Sequence, residues 1–314
     1  MASPLERLSS RALGWLAANL DHFDPFSEGA RSAAPQGRAK AALELALLCH
    51  CAARLGRPAD GLDAATALVR RLWQDPALPP LFAAVPGYAS AYGLACAALA
   101  PDGIDGTQVR EALAGVGPGF LSPRGKTPYQ RIEVRHYADK AGVPHTVESY
   151  AELLPHSPLL ALRPAGDGDA PGGDGGGDGA PLTVPQAYAV THTAFYVGDF
   201  GRTSPGLTGD APAHALDLVD RLLLHCVGHD LWDLAAELVL TRFILGTDPL
   251  DSPPGAAAVA RLVRAQRPDG ALPGRSAELA ARPAAPGRAF FRKAYHTTLV
   301  TALMALVVSS PRPS

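Results

Sequence analysis

Apolar residues recur along the chain at the three- and four-residue spacing of α-helices, in segments dominated by alanine and leucine. Alternating runs of β-branched residues, which are typical of strands, are nearly absent. The pattern therefore predicts an all-α fold. The predicted helices span residues 4–19, 37–55, 60–73, 87–99, 107–114, 127–141, 146–154, 185–197, 212–227, 230–245, 255–266 and 290–309.

Two of these helices carry strong start signals. The segments Ser3–Glu6 and Thr127–Gln130 each place a hydroxyl residue at the N-cap and proline directly after it. A Glu or Gln follows three residues after the cap, which is the pattern of a capping box. Gly142 stands where the helix over 127–141 should end in the left-handed conformation.

Successive predicted helices alternate in character. Odd members carry surface charge, as in 60–73, whereas even members such as 37–55 and 290–309 are apolar nearly all round. A helix that is apolar on every side is buried, and the even helices recur about every 45 to 55 residues, which is a helical-hairpin period. We therefore predict a single domain over residues 1–314. Its expected form is an (α/α)6 toroid or barrel of about six hairpins, with the apolar helices inside.

One segment breaks this pattern. Residues 164–181 are rich in Gly and Asp and have almost no apolar side chains. Such a segment cannot bury enough surface to offset the entropy of ordering, so we predict a disordered loop there.

Composition narrows the classes of partner. The 314 residues are 47% hydrophobic and carry a net charge of −2, which offers no strong field for nucleic acid or anionic lipid. The longest uncharged apolar run, 299–308, is too short to cross a bilayer, and the first residues show no apolar leader. The cysteines lie in apolar helical segments without metal-binding spacing. We expect a cytoplasmic protein that binds neither nucleic acid nor membrane, with buried free thiols.

Polar residues on the predicted inner helices are the candidates for chemistry, because burying them costs free energy unless they are paired. The helix over 185–197 and its end carry His192, Tyr196 and Asp199 on one face. The helix over 230–245 carries Asp233 and Glu237. Two further helices contribute polar residues, with Tyr295 and His296 on the last and the pair Glu133 and His136 on the helix over 127–141.

A metal site is the first hypothesis for this set. Imidazole and carboxylate ligands suit Zn²⁺, Fe²⁺ or Mn²⁺, and two histidines with one carboxylate form a recurring catalytic arrangement. We expect His192, His296 and Asp233 to be the ligands, with Thr193 or Thr297 orienting groups around them.

Catalysis by side chains alone is the second hypothesis. Enzymes with helical-ring folds use buried acids, histidines and tyrosines as proton donors and acceptors. The candidate catalytic residues are Asp233, Glu237, Tyr196, Asp199 and Tyr295, with His296 as a further proton carrier.

A structural role for the same residues is the competing interpretation. Asp199 would then anchor the chain where its helix ends, with Gly198 and Gly201 supplying positive φ angles. Asp233 and Glu237 would hold Arg242 or Arg292 in an ion pair.

Two resemblances accompany these patterns. The segment 262–274 resembles the Q-x-x-DG-x-x-xG turn of α/α-toroid repeats in terpenoid cyclases and protein prenyltransferases, although the acidic motif of those cyclases is absent. Most of the chain also resembles a family of uncharacterised actinobacterial proteins. The segments that carry this second likeness are 191–201, 232–238 and 295–300.

The resemblance implies a tailoring enzyme of specialised metabolism that acts on a peptide or small molecule in a central His and carboxylate pocket. Metal dependence, a metal-free acid–base hydrolase or lyase, and a non-catalytic binding scaffold all stay open, as does the oligomeric state.

Overall fold

The computed structural model describes residues 2–31, 33–55, 61–164, 180–274 and 287–312. Within these ranges the chain is helical and contains no β-strand, which confirms the predicted all-α fold. The α-helices are α1 (Pro4–Ala18), α2 (Leu20–Phe23), α3 (Glu28–Arg31), α4 (Pro35–Ala53), α5 (Asp63–Gln74), α6 (Leu78–Ala83), α7 (Ala89–Ala98), α8 (Thr107–Ala114), α9 (Pro128–Ala141), α10 (Tyr150–Leu153), α11 (Pro158–Ala161), α12 (Val184–Val197), α13 (Ala211–Gly228), α14 (Trp232–Ile244), α15 (Pro253–Ala265) and α16 (Arg288–Val308).

The predicted helix boundaries mostly agree with these bounds. Both capping boxes form, at Ser3 with Glu6 and at Thr127 with Gln130. Gly142 adopts a φ of 64°, the left-handed conformation expected after α9. The short helices α2, α3, α6 and α11 were not predicted, because segments of four to six residues show too little periodicity. The disordered loop predicted over 164–181 falls mainly on residues outside the described ranges.

Six helices contact one another in a closed cycle. The order is α4, α7, α9, α12, α14 and α16, and α16 returns to α4. These are the six helices whose apolar character predicted an inner position. Around them, α1 packs on α16, α5 on α4, α8 on α7 and α13 on α14. A cycle of this kind is the arrangement that the predicted toroid requires, and it directs the polar side chains of different helices toward a shared interior.

Burial follows the same division. Almost every side chain in the second half of α16 is buried, from Leu299 to Val307. The outer helix α1 instead buries one face, which includes Leu8, Ala12 and Leu16, and exposes the other. The inner helices therefore supply most of the core, and polar residues on them are exceptions that need partners.

The turn after α15 joins the last hairpin to the first helix. The Gln266 side chain donates to the carbonyl oxygens of Leu8, at 3.0 Å, and Gly270, at 3.1 Å. Gly270 has a φ of 97°, and a Cβ at this position would lie 2.1 Å from the carbonyl oxygen of Arg11. The Gln and Gly of this turn are thus required for α1 to pack closely against it.

Candidate functional site

His192 lies at the centre of the polar cluster inside the ring. It occupies the middle of α12, between the neighbouring helices α9 and α14. Its Nε2 atom is 3.5 Å from Oε1 of Glu237, and its Nδ1 atom forms a hydrogen bond of 3.2 Å with the hydroxyl of Tyr129. Both ring nitrogens therefore face polar groups from adjacent helices, which fixes the plane of the imidazole.

Glu237 is the most deeply buried acid of the cluster, with its side chain 2% exposed. Its Oε2 atom accepts a hydrogen bond of 2.5 Å from the Thr191 hydroxyl. Burial alone would raise the pKa of Glu237, but the adjacent His192 and the Thr191 hydrogen bond lower it below its usual range. The pKa of His192 is raised in turn, because attraction to Glu237 outweighs burial. Glu237 is therefore ionised at neutral pH.

Glu133, on α9, also interacts with His192, but its pKa is shifted in the opposite direction from that of Glu237. Its Oε1 atom accepts a hydrogen bond of 3.0 Å from the Tyr196 hydroxyl. Burial raises the pKa of Glu133, and this effect outweighs Tyr196 and His192, which both lower it. Within the described residues no lysine or arginine forms an ion pair with Glu133.

A second histidine and acid pair lies on α4 and α16. His296 Nδ1 is 3.1 Å from Oε1 of Glu44, and Lys40 Nζ is 3.5 Å from the same oxygen. Burial lowers the pKa of His296, but Glu44 raises it more strongly, to about 9. The charges of His192 and His296 affect one another, and Glu237 affects both. The two pairs therefore face one interior.

This interior is accessible to a small molecule. The side chain of His192 is 32% exposed and that of His296 is 28% exposed, although both lie on inner helices. Tyr129, Tyr188 and Tyr295 are also only partly buried. Exposed polar and aromatic side chains on helices that are otherwise core indicate a ligand-accessible space.

Asp233 does not join the two histidines. Its Oδ2 atom accepts a short hydrogen bond from the Tyr188 hydroxyl, and Glu237 takes the place beside His192 that the sequence assigned to Asp233. Within the ranges that the structure describes, no group of three or more His, Cys, Asp or Glu residues is placed to hold a metal ion. The metal set of His192, His296 and Asp233 therefore stays a prediction without support from this geometry.

Asp199 lies in a separate cluster where α12 ends. It accepts hydrogen bonds from Arg54, at 3.0 and 2.5 Å, and forms an ion pair with Lys140 at 2.7 Å. Burial would raise the pKa of Asp199, but these two cations lower it to about 2. This is the anchoring role that the structural interpretation described. The backbone differs from that interpretation: Asp199 and Phe200 have φ angles of 44° and 53°, whereas Gly198 has a φ of −88°.

Gly198 is required for packing instead. A Cβ there would lie 2.3 Å from Cγ2 of Ile244 on α14. The structural interpretation also paired Asp233 and Glu237 with Arg242 or Arg292, and for Arg242 the structure shows a different partner, because Arg242 binds Asp220 at 2.5 Å. Arginine at this position ties α14 to the outer helix α13.

The threonine hydroxyl that contacts the site residues is not one of those predicted. Thr191, which precedes His192, contacts Glu237, whereas Thr193 donates its hydroxyl to the carbonyl oxygen of Ala189 at 2.6 Å. Tyr196 contacts Glu133, as described above. Tyr295 lies beside Glu44, and burial and this acid raise its pKa.

Sequence reasoning missed Glu44, Tyr129 and Tyr188. Glu44 stands alone in the apolar segment of α4, and a buried acid of that kind requires a partner from another helix. Tyr129 is four residues before Glu133, so helical spacing places both on one face of α9. Tyr188 has the same spacing from His192 on α12. The spacing of polar residues within the inner helices could therefore have identified these residues from the sequence.

His136, the partner of Glu133 in the E-x-x-H pair, is structural. It is 3% exposed, and its Nδ1 donates to the carbonyl oxygen of Tyr196 at 3.0 Å. Burial and nearby Lys140 lower its pKa to about 4, so the ring is neutral at pH 7. It satisfies a carbonyl in the last turn of α12, which has no partner within its own helix.

Comparison with protein families gives a match over most of the chain. Residues 9–306 match the model of a domain of unknown function, DUF6895. No curated protein matches the chain. Among the described residues, no helix is long and apolar enough to span a membrane.

Proposed function

The chain belongs to the DUF6895 family, and we propose from its inner site that it is a general acid–base enzyme. The proposed reaction is hydrolysis or elimination on a small molecule or peptide segment that enters the ring. We define the inner site as Glu133, His192 and Glu237 together with Tyr129, Thr191 and Tyr196.

One observation carries this proposal. Glu133 and Glu237 lie on the two helices that flank α12, both act on His192, and their environments move their pKa values in opposite directions. Two acids of one type whose environments move their pKa values apart are the usual arrangement for an acid and a base in one site. Structural ion pairs do not require such a difference.

The roles follow from the directions of the two pKa shifts. Glu133 retains its proton at higher pH than an ordinary glutamate and donates it to the leaving group, while the Tyr196 hydroxyl holds its carboxyl group in place. His192 accepts a proton from water or from the substrate, and the adjacent Glu237 carboxylate stabilises the imidazolium that forms. Tyr129 and Thr191 keep the imidazole and the carboxylate in line.

Carbon-13 NMR of labelled glutamate carboxyl groups tests the assignment without a substrate. We expect the Glu133 resonance to titrate above pH 4.5 and that of Glu237 below it, with the substitutions Glu133→Gln and Glu237→Gln identifying the signals. Glu111→Gln, at an exposed position on α8, is the matched control. Coincident titration of both groups would contradict the proposal.

Activity assays with several classes of substrate test the proposed reaction. Glycosides, uronides, esters and amides cover the bonds that such a pair cleaves. For a class that is turned over, Glu133→Gln should remove the alkaline limb of the pH–rate profile, and Glu237→Gln should lower kcat at least about 100-fold. Glu111→Gln should match the wild type. Equal activity of all three variants would overturn the assignment.

The same protein preparations separate the other hypotheses. A stoichiometric transition metal that is lost with His192→Asn would favour the metal site expected from the sequence. A ligand recovered unchanged from the purified protein, without turnover of any class, would favour a binding scaffold.

A further inference from the structure

Two adjoining cavities lie where several inner helices end. One has a volume of about 160 Å³ and is bordered by residues from the ends of α4, α14 and α16 and by the segment after α12. The other has a volume of about 170 Å³, and both cavities share Gly201, Arg202 and Phe243. We call their union the arginine groove, because Arg54 and Arg312 also line it. It is distinct from the inner site, whose residues line neither cavity.

All charged side chains that line the arginine groove are positive. Three arginines border the groove, and none of the residues that line either cavity is acidic. The carboxylate oxygens of Asp199, which precedes the lining residues Phe200 to Arg202, are already bound by Arg54 and by Lys140. The positive charge of Arg202 and Arg312 is therefore not balanced by an acidic side chain of the lining.

These two arginines keep N–H groups available. Arg202 donates one N–H to the carbonyl oxygen of Arg54, and Arg312 donates one to the carbonyl oxygen of Gly246 at 2.6 Å. The guanidinium carbon of Arg312 lies 4.8 Å from the ring centroid of Phe243, which holds the side chain against the wall. Since a guanidinium has five N–H groups in a planar fork, each retains donors for an oxyanion.

The segment that carries Arg202 is strained. Asp199, Phe200 and Gly201 have φ angles of 44°, 53° and 90°, and residues other than glycine are unfavourable in this region. The ion pairs of Asp199 and the burial of Phe200 hold this conformation. It places Arg202 at the boundary of the two cavities, and strain of this kind is typical of functional segments.

We infer that the arginine groove binds a small phosphate-bearing ligand. Each cavity has room for one tetrahedral oxyanion. Arginine forks match phosphate oxygens, and the Ser204 hydroxyl, whose oxygen accepts from the Gly206 N–H, supplies a further donor on the wall. A dianionic phosphate balances the positive charges of Arg202 and Arg312 better than a single carboxylate does. The inference is independent of the activity proposed for the inner site.

Isothermal titration calorimetry with inorganic phosphate and pyrophosphate tests the inference, with acetate as the carboxylate arm. We expect both phosphates to bind more tightly than acetate, with affinity that falls as salt is added. Arg202→Gln should weaken phosphate binding at least 10-fold, whereas Arg110→Gln, an exposed arginine on α8, should leave it unchanged.

Arg312→Glu is a second variant, and we expect it to fold normally because Arg312 is exposed and follows the last helix. It should abolish phosphate binding while the far-ultraviolet circular dichroism stays that of the wild type. The inference is overturned if neither phosphate binds, if acetate binds as tightly, or if Arg110→Gln weakens binding as much as Arg202→Gln. Glu133→Gln should leave phosphate binding intact whether or not the inner site is catalytic.

Discussion

The inner site and the Asp199 cluster both contain charged side chains on inner helices, but the distances between opposite charges differ in the two regions. Around Asp199, ion-pair contacts with Arg54 and Lys140 are as short as 2.5 and 2.7 Å. Around His192, the nearest carboxylate oxygen is 3.5 Å away, and in the part of the chain that the structure describes Glu133 forms no ion pair with a lysine or arginine.

The difference indicates two uses of buried charge. Short, compensated pairs fix the end of α12 and sustain its unusual backbone, so their loss should mainly affect stability. More loosely spaced groups whose pKa values are moved in opposite directions should contribute less to folding, and they are suited to the proton exchange that we propose. Each prediction below tests whether a residue belongs to the first kind or to the second.

The largest effect is expected from Asp199→Asn. Asparagine tolerates a φ of 44° and keeps the side-chain shape, so the substitution removes mainly the charge. Because Arg54 and Lys140 would then lack their partner, the free energy of unfolding should fall by about 2 to 3 kcal/mol. Urea denaturation measures this change.

The matched control is Asp217→Asn, whose carboxylate is 59% exposed and contacts Arg221 within α13. It should change the free energy of unfolding by less than about 0.5 kcal/mol. A similar small change for Asp199→Asn would show that the two regions do not differ in the way proposed.

His136 should produce the next largest effect, and only in acid. Its folded-state pKa of about 4 lies below the ordinary histidine value of 6.5, so the unfolded chain binds more protons between these values. Stability should therefore fall as pH decreases from 6.5 toward 4, by on the order of 2 kcal/mol from this residue. His136→Asn retains a donor for the Tyr196 carbonyl and should flatten this part of the stability curve.

His50 also has a pKa lowered to about 4, by burial first and by nearby Lys140 and Arg54 next. It is present in both proteins, so the difference between their curves isolates His136. Parallel curves would mean that His136 does not stay neutral in the folded state.

Much of the fold could be predicted from sequence because it depends on local patterns. The even helices were predicted to be inner from their apolar character alone, and α4 and α16 illustrate why, since 10 of the 19 residues of α4 and 14 of the 21 residues of α16 are buried. The actinobacterial origin and the likeness to toroid enzymes remain predictions, because the observed helices do not test either of them.

The site was predicted only in part. His192, Glu237 and Tyr196 were correctly placed on inner helices, but their partners depend on the rotation of each helix in the ring. A few tens of degrees decide whether Asp233 or Glu237, four residues apart on α14, faces His192. Glu44 was missed for the same reason, since its role exists only once α16 brings His296 beside it.

The His296 and Glu44 pair should give a smaller effect on the alkaline side. The folded-state pKa of His296 is about 9, above the ordinary histidine value of 6.5, so its contribution to stability is complete below pH 6.5 and is lost as pH rises toward 9. Because the ring is 28% exposed, we expect a loss of about 1 to 2 kcal/mol over this range.

His296→Asn should remove this alkaline decline, and proton NMR of the imidazole should show the same pKa in the intact protein. His156→Asn, at an exposed position, is the control and should leave the decline unchanged. An imidazole that titrates near 6.5 would show that Glu44 does not hold the proton on His296.

The smallest effect is expected from Tyr129→Phe, which removes one hydrogen bond to Nδ1 of His192. The free energy of unfolding should fall by only about 1 kcal/mol, because the hydroxyl is partly solvated and the ring remains. Nitrogen-15 NMR should nevertheless show a changed Nδ1 resonance for His192, whereas Tyr88→Phe, at a residue 48% exposed, should not alter it. A loss of stability as large as that of Asp199→Asn would mean that the inner site is locked as firmly as the Asp199 cluster. In that case its groups would serve folding, and the distinction on which the acid–base proposal depends would be lost.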